Sequence, residues 1–295
     1  MTEVPCAPKR TVADSFWMLA SGFFYALVGF CAKMGAQDFS GFELVFYRNL
    51  IGALILGSVM LARGISFKTE HPAGHALRAG FAFLSMLFWM LCIPSLPLGT
   101  SQTLTNVAPL IVAAAALFGA VMKREKIPFA ILAGIAAGFA GICLILRPDF
   151  SGAQIEGVVF ALVSSAFAAG GFYAISALAA FNEPSERIVF YIFLLGLILA
   201  SAAQMASGGF SPVTFEGALW LIGMGAAGAL GQVTLTLAYA RGNFLLSTAF
   251  DYSSIVFAFL IGVIVMGDSF GARDILGMAL VIASGITSSL ATRRK

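Results

Sequence analysis

The sequence contains very little charge for its length. Only 11% of its 295 residues are charged, against roughly 25% in a typical soluble domain, and 60% are hydrophobic. One soluble core could not bury so much apolar surface, so lipid must be the solvent for a large part of it. The net charge of +3 is too small and too dispersed for a nucleic-acid surface. The composition therefore predicts an integral membrane protein with no nucleic-acid partner.

Motifs of several enzyme and cofactor classes are also missing. The four cysteines, Cys6, Cys31, Cys92 and Cys143, lie far apart in the sequence, so no C-x-x-C redox or metal site exists. The sequence lacks a G-x-x-x-x-G-K-[ST] phosphate loop, which argues against an ATP-driven pump, and it lacks an H-E-x-x-H zinc motif. We expect no catalytic residue, no metal site and no cofactor.

One pattern matches a cofactor fingerprint. Gly223-Met-Gly225-Ala-Ala-Gly228 has the G-x-G-x-x-G spacing of dinucleotide-binding folds, which requires a strand before it and a βαβ unit around it. Here the flanking residues continue as one apolar helix. These glycines therefore indicate close packing between membrane helices.

Apolar runs of bilayer length follow one another along the whole chain. Ser40-Gly41-Phe42-Glu43 predicts a capping box at the start of the second run, and Ser211-Pro212 predicts an N-cap and a first-turn proline for the eighth. We predict ten transmembrane helices, called spans 1 to 10, over residues 16–34, 42–61, 77–93, 100–121, 128–146, 157–180, 189–206, 215–240, 244–266 and 275–290.

The basic residues of the predicted loops fall mostly on one side. With the N-terminus inside, cytoplasmic segments hold 13 of the 17 lysines and arginines, Arg78 among them, and outer loops hold only Arg147 and Arg273. Lys33 and Arg48 lie inside spans 1 and 2. The asymmetry predicts that both termini are cytoplasmic.

The chain also repeats itself. A shift of 143 residues brings Gly99 onto Gly242 and Glu125 onto Asp268, each at the same place in a helix-loop-helix unit. We therefore predict an all-α membrane protein of two five-helix repeats, residues 1–146 and 147–295. Because five is odd, the repeats are inverted, and such repeats are typical of carriers with a binding site near the midplane.

Several motifs, taken in order along about ten helices, resemble the EamA-type members of the drug/metabolite transporter superfamily. Two positions depart from the pattern: Tyr252 occupies the place that matches Pro109, and Gly-Asp replaces the commoner Gly-Glu after span 9. The matching residues are Gly29-Phe30-Cys31-Ala32-Lys33, Phe46-Tyr47-Arg48, Pro109, Lys123-Arg124-Glu125-Lys126, Gly134, Met266-Gly267-Asp268-Ser269 and Gly277.

The resemblance implies a multi-pass protein of the bacterial inner membrane that moves small metabolites, often amino acids. In such folds spans 1, 3, 4, 6, 8 and 9 are expected to line a central cavity, with spans 5 and 10 peripheral. We expect a secondary transporter that exports small metabolites by alternating access. The expected metabolites are amino acids, including aromatic and hydrophobic amino acids. Its partners would be the lipid bilayer and a small-molecule substrate, and the protein a monomer or weak homodimer. A passive channel and an intramembrane enzyme are the alternatives.

The outer half of span 4 is densely polar. Gln102 and Asn106 are four residues apart and share a helix face, which Pro109 continues. Pro109 removes a backbone hydrogen bond and can free the carbonyl of Thr105, which then needs a partner or a wet cavity. The pattern predicts a substrate-facing stripe; hydrogen bonds between packed helices are the alternative.

Spans 8 and 9 carry two further polar stripes. Gln232 and Thr236 in span 8 either line the cavity or pack against span 9, and Ser254 follows Asp251 on one face of span 9. The Asp251 carboxyl is either a group that couples protons or binds a substrate amine, or a hydrogen-bonded structural acid.

The remaining candidates are aromatic or basic. Tyr25, Trp89 and Tyr173 offer aromatic surface to a substrate, although packing is the more frequent role of such residues. Arg48 has the planar fork that suits a carboxylate, or it forms a structural ion cluster with Glu43. Lys33 is expected to snorkel to the surface, and His71 and His75 to be solvated loop residues.

Overall fold

The regular structure of this chain is helical. A computed structural model describes residues 11–108, 110–111, 152–181, 183–242 and 250–292, with the isolated residues 133, 136–138, 140–141, 144 and 247. In that part the helices are α1 Val12–Ser15, α2 Trp17–Gly35, α3 Gly41–Ala62, α4 Pro72–Cys92, α5 Leu98–Thr105, α6 Gly152–Ala180, α7 Ser185–Ala206, α8 Phe215–Arg241, α9 Ser253–Ile264 and α10 Ala272–Thr292.

Six helices (α2, α3, α4, α6, α7 and α8) are long and apolar enough to cross a membrane, which makes this a multi-pass membrane protein. They correspond to spans 1, 2, 3, 6, 7 and 8, and α10 corresponds to span 10. Most of span 5 and most of the inner part of span 4, Pro109 included, lie outside the described residues.

Span 3 begins earlier than predicted. The helix α4 starts at Pro72 and not at residue 77, because a proline in the first turn gives up an N–H group that has no helical partner there. Arg78 therefore lies about 9 Å inside the helix and not in a cytoplasmic loop. Arg78 therefore no longer counts among the basic residues of the cytoplasmic loops, but those residues still far outnumber the basic residues of the outer loops.

One of the two predicted helix starts is confirmed. Ser40 Oγ accepts from the Glu43 N–H, and the Glu43 carboxylate accepts from the Ser40 N–H, which completes the capping box of α3. The prediction for Ser211-Pro212 is wrong, because Thr214 caps α8 through the N–H of Gly217 at 3.0 Å. The Ser211 N–H instead donates to Glu43 Oε1 at 2.5 Å and ties this loop to α3.

Helices of the first half pack mainly on helices of the second. The helix α2 lies along α8, α4 along α6, α3 along α7, and α5 against α9. Suppose that spans 1 to 5 are exchanged with spans 6 to 10 in order. The pair α2–α8 (spans 1 and 8) then becomes the pair α6–α4 (spans 6 and 3). The pairs α3–α7 (spans 2 and 7) and α5–α9 (spans 4 and 9) become themselves. The packing thus has the pattern of a two-fold relation between the halves.

The crossing of α3 and α7 shows this relation at the level of single residues. A Cβ atom on Gly52 would lie 2.6 Å from the Phe193 ring, and one on Gly196 would lie 2.8 Å from Asn49 Nδ2. In the sequence, Asn49 lies 144 residues before Phe193, and Gly52 lies 144 residues before Gly196. Each helix thus supplies one glycine that receives a side chain of the other, which lets the two backbones approach closely.

The glycines of the G-x-G-x-x-G pattern are also contacts between helices, as predicted. A Cβ on Gly225 would lie 2.5 Å from Ile51, and one on Gly228 would lie 2.9 Å from the Arg48 Nε. Gly225 and Gly228 allow α8 to approach α3, and Gly228 leaves room for the guanidinium group of Arg48.

Lys33 does not snorkel free to the surface. Its ammonium group lies 3.6 Å from Asp268 Oδ1 and donates to the Leu96 carbonyl at 3.3 Å. Asp268 Oδ2 accepts from the N–H of Leu98 at 3.2 Å. These contacts join the end of α2 and the start of α5 to the loop between α9 and α10.

His75 is not a solvated loop residue either. It lies in α4 with 1% of its side chain exposed, 3.5 Å from Glu183 and against the Tyr191 ring. Burial raises the pKa of the Glu183 carboxyl, but hydrogen bonds from Thr69 and Arg187 and the nearby positive charges outweigh it and hold the pKa below its usual value. His71 stacks on Phe181 at the same end of the molecule.

Candidate functional site

Two interrupted helices meet at the centre of the molecule. The helix α5 ends at Thr105, and Asn106 and Val107 form a turn before the chain becomes helical again. The helical turn that contains Asp251 is separated from α9 by Tyr252, which stands where the sequence repeat places Pro109. Backbone irregularity at membrane depth is tolerated where side chains or a cavity satisfy the freed groups.

Side chains satisfy part of each interruption. Asn106 Nδ2 donates to the Gln102 carbonyl at 2.8 Å and to Ser254 Oγ at 3.0 Å. Ser254 Oγ in turn donates to the Asp251 carbonyl at 2.7 Å. The two breaks are therefore linked to each other through Asn106 and Ser254.

A cavity opens beside this link. It contains about 820 Å³ of space not filled by atoms, its mouth included, and residues of α2 to α9 surround it. Its polar and aromatic lining consists of Tyr25, Arg48, Arg78, Ser85, Trp89, Gln102, Thr105, Asn106, Ser164, Phe172, Gln232, Asp251 and Ser254.

Two arginines are the main charges of the cavity. Arg48 on α3 is 2% exposed and Arg78 on α4 is 5% exposed. The Arg48 guanidinium lies over the Phe193 ring at 5.1 Å and beside Tyr25. The predicted ion cluster of Arg48 with Glu43 is wrong, because the Glu43 carboxylate binds Ser40 and Ser211 instead.

Aromatic rings form another part of the cavity lining, called here the aromatic wall. The rings of Tyr25 and Trp89 are 6.1 Å apart, centre to centre, and Phe172 of α6 adds a third ring. The Tyr25 hydroxyl donates to Gln232 Oε1, which fixes the amide so that its Nε2 remains a donor. The wall offers apolar surface together with a polar edge.

Several polar atoms at the cavity have no hydrogen-bond partner in the described part of the chain. The donors are Arg48 Nε and Nη2, Arg78 Nε, Trp89 Nε1 and Gln232 Nε2, and the acceptor is Gln102 Oε1. The Asp251 side chain, which also borders the cavity, adds an acid. Buried polar groups are costly when left unpaired, so a polar ligand would gain from meeting them.

Most of the predicted site residues come together here. Tyr25, Arg48, Trp89, Gln102, Asn106, Gln232, Asp251 and Ser254 all line the cavity. Two predicted residues do not. Tyr173 is 55% exposed on α6, one residue beyond the lining Phe172, and Thr236 is fully buried among the helices.

Sequence reasoning missed Arg78, Phe172 and the pair Ser85 and Ser164. Arg78 was assigned to a loop because the start of span 3 was placed after it, although Pro72 was a signal for an earlier start. Ser164 Oγ donates to the Ser85 carbonyl at 2.7 Å, and no sequence signal points to that pairing across α4 and α6.

One motif of hydrolases occurs in the sequence. Gly267-Asp268-Ser269-Phe270-Gly271 has the G-x-S-x-G pattern of a nucleophile elbow, which requires a strand before the serine and a helix directly after it. Here α9 precedes the segment, and Gly267, with φ of +68°, begins a loop in which Asp268 pairs with Lys33. The segment is a helix connection and does not support the enzyme alternative.

Comparison with known families gives two matches along the chain. The profile of the EamA-like transporter family matches residues 14–147 and again residues 155–290.

Characterised and uncharacterised relatives align over nearly their full length. A pseudopaline exporter of Pseudomonas aeruginosa is 28% identical, over 92% of this chain and 94% of its own. A riboflavin transporter of Rhizobium johnstonii is 25% identical, over 97% of this chain and 93% of its own. An uncharacterised transporter of Helicobacter pylori is 25% identical, over 92% of this chain and 93% of its own. A solved crystal structure with 18% identity superposes with a TM-score of 0.71 over 96% of this chain and 99% of its own, which shows the fold alone.

Proposed function

Because this chain belongs to the EamA-like transporter family, we propose that it is a secondary transporter that exports small metabolites across the bacterial inner membrane by alternating access. The observation that carries the proposal is the central cavity, whose buried arginines and amides have hydrogen-bonding groups without partners. Relatives named as an exporter and as a vitamin transporter support a small organic cargo.

The substrate that we propose is an amino acid or a close derivative of one, including aromatic and hydrophobic amino acids. Arg48 presents a planar fork that suits a carboxylate. Gln102 Oε1 and the Asp251 carboxyl are acceptors for an ammonium group, and the rings of Tyr25 and Trp89 offer surface for an apolar side chain.

The architecture we propose is ten transmembrane helices in two inverted five-helix repeats, residues 1–146 and 147–295. Two observations support it: the family profile matches twice, and the helix pairs exchange when each span is replaced by the one five places later. In inverted-repeat carriers the substrate site lies between the repeats, where discontinuous helices form it. The interrupted helices at Asn106 and Tyr252 fit that arrangement.

Exchange across proteoliposomes tests the proposal. Vesicles that hold the purified protein and one unlabelled amino acid should take up the labelled form of it faster than empty vesicles, and the rate should saturate. A passive channel would equilibrate the label without this acceleration by internal substrate, and an enzyme would alter the label chemically. Either result would replace the carrier by the corresponding alternative.

Both termini should be cytoplasmic, since basic residues concentrate in the predicted inner loops. A reporter enzyme that is active only in the periplasm should therefore be inactive when it is fused to the C-terminus. An active fusion would show that the C-terminus is periplasmic and that the orientation is the reverse of the one proposed.

Transport should not depend on a proton gradient. Asp251 is the one acid among the described lining residues, so a relay of embedded acids or histidines around it is lacking in that part of the chain. Proton-driven carriers usually arrange several such groups. The exchange rate should therefore be the same with and without an imposed pH difference, for wild type and for Asp251→Asn. Accumulation that the gradient drives and Asp251→Asn abolishes would make Asp251 the coupling group.

A further inference from the structure

The charges around the cavity do not balance. Its described lining contains two guanidinium groups, Arg48 and Arg78, and one carboxyl group, Asp251. Neither arginine forms an ion pair within the described residues, and the charge of Arg48 acts on Arg78. A buried charge without a partner costs several kcal/mol, as a rule, so a site of this kind needs an anion from outside the protein.

We propose that the transported molecule carries two acidic groups, one bound by Arg48 and one by Arg78, and therefore has a net negative charge. This inference rests on the proposed transport function and narrows its substrate class from amino acids in general to dicarboxylic amino acids and amino-acid derivatives. Arg78 is then the residue that determines specificity for the second acid.

The surroundings of the two arginines differ in a way that supports this assignment. Arg48 has an aromatic ring beneath it and the Tyr25 phenol beside it, so part of its charge is stabilised within the protein. Arg78 Nε is buried and has no hydrogen-bond partner in the described residues, and Tyr25 acts on Arg78 through its charge without a hydrogen bond between them. A structural arginine inside a membrane protein would be paired with carbonyl or carboxylate oxygens. Arg78 is instead available to a ligand.

Glycines leave room for both guanidinium groups against neighbouring helices. A Cβ on Gly171 of α6 would lie 2.8 Å from Arg78 Nη1, and a Cβ on Gly228 of α8 would lie 2.9 Å from Arg48 Nε. Each guanidinium therefore rests against a helix backbone that has no side chain at that point. Two planar forks packed against helix backbones have less freedom to lose when they bind two acids, which lowers the entropy lost on binding.

Matched probes test the proposal in proteoliposomes that hold the full chain. We would compare counterflow of L-glutamate with L-glutamine, and of 4-carboxy-L-phenylalanine with L-phenylalanine, because each pair differs chiefly in one acidic group. The wild-type protein should exchange the diacid of at least one pair about tenfold faster than its partner. Arg78→Gln should remove that preference by slowing exchange of the diacid, and Arg78→Lys should restore part of the preference.

The outcomes separate the inference from the function on which it rests. Equal or faster exchange of both monoacids by the wild-type protein would overturn the two-acid site but leave an amino-acid carrier. A diacid preference that is unchanged in Arg78→Gln would remove Arg78 from the site. If none of the four probes is exchanged, the proposed amino-acid function fails and the inference fails with it. If Arg78→Gln does not fold, the wild-type preference and Arg78→Lys still decide.

Discussion

Arg48→Gln should lower exchange of the best transported amino acid by about 10- to 100-fold. Hydrogen bonds to a charged group contribute roughly 1.5–3 kcal/mol, and 1.4 kcal/mol corresponds to a factor of ten. Glutamine keeps some polarity but loses both the charge and the planar fork. Arg48→Lys should also be impaired, because a lysine cannot present two parallel N–H groups to a carboxylate. The initial rate of counterflow in proteoliposomes measures the effect.

Arg63 provides the matched control. Its side chain is 64% exposed beyond the end of α3 and pairs with Glu186 at 2.8 Å. Surface pairs of this kind contribute little, so Arg63→Gln should retain the wild-type rate. Equal rates for Arg48→Gln and Arg63→Gln would show that the cavity is not the transport site.

Gly52→Ala should lower the melting temperature of the detergent-solubilised protein by several degrees. The added methyl group would lie within 2.6–2.7 Å of three atoms of the Phe193 ring, which is fully buried. Overpacking of this kind typically costs about 1–3 kcal/mol, and the upper part of that range exceeds the roughly 1 kcal/mol that alanine gains over glycine in a helix. Because the same ring lies under Arg48, the exchange rate should fall as well.

Gly57 on the same helix separates crowding from helix propensity. A Cβ there would meet Phe190 at 3.4 Å, an ordinary contact, so Gly57→Ala should leave the melting temperature unchanged or raise it. Phe193→Leu should restore part of the stability of Gly52→Ala, because it removes the ring that the methyl group meets. A melting temperature of Gly52→Ala equal to that of wild type would contradict the close crossing of α3 and α7.

Most of the described helices could be predicted from the sequence, because a helix that crosses a lipid bilayer must have a minimum length and an apolar composition. The start of span 3 was predicted too late because basic residues stand inside the first turns of its helix. Arg78 shows the reason: a charge near the end of an apolar run resembles a loop residue until the cavity that it faces is known. His75 was misplaced for the same reason, since its partner Glu183 is distant in sequence.

The candidate site was predicted where polar residues recur on one helix face. Gln102 with Asn106 and Asp251 with Ser254 are spaced for a shared face, and all four line the cavity. The bond between Asn106 and Ser254 joins residues 148 positions apart, so no local pattern could predict it. Tyr173 shows the converse difficulty, because an aromatic residue on an apolar helix gives no sign of which side faces lipid.

The Glu43 carboxylate has a consequence for motion at its end of the molecule. One of its oxygens accepts from the Ser40 N–H and caps α3, while the other accepts from the Ser211 N–H of the loop before α8. If that loop moves away, Glu43 exchanges the contact with Ser211 for water but keeps the bond to Ser40. The first turn of α3 therefore remains folded through the movement. Separation at this point breaks a few hydrogen bonds and unwinds no helix, so it can be fast and fully reversible.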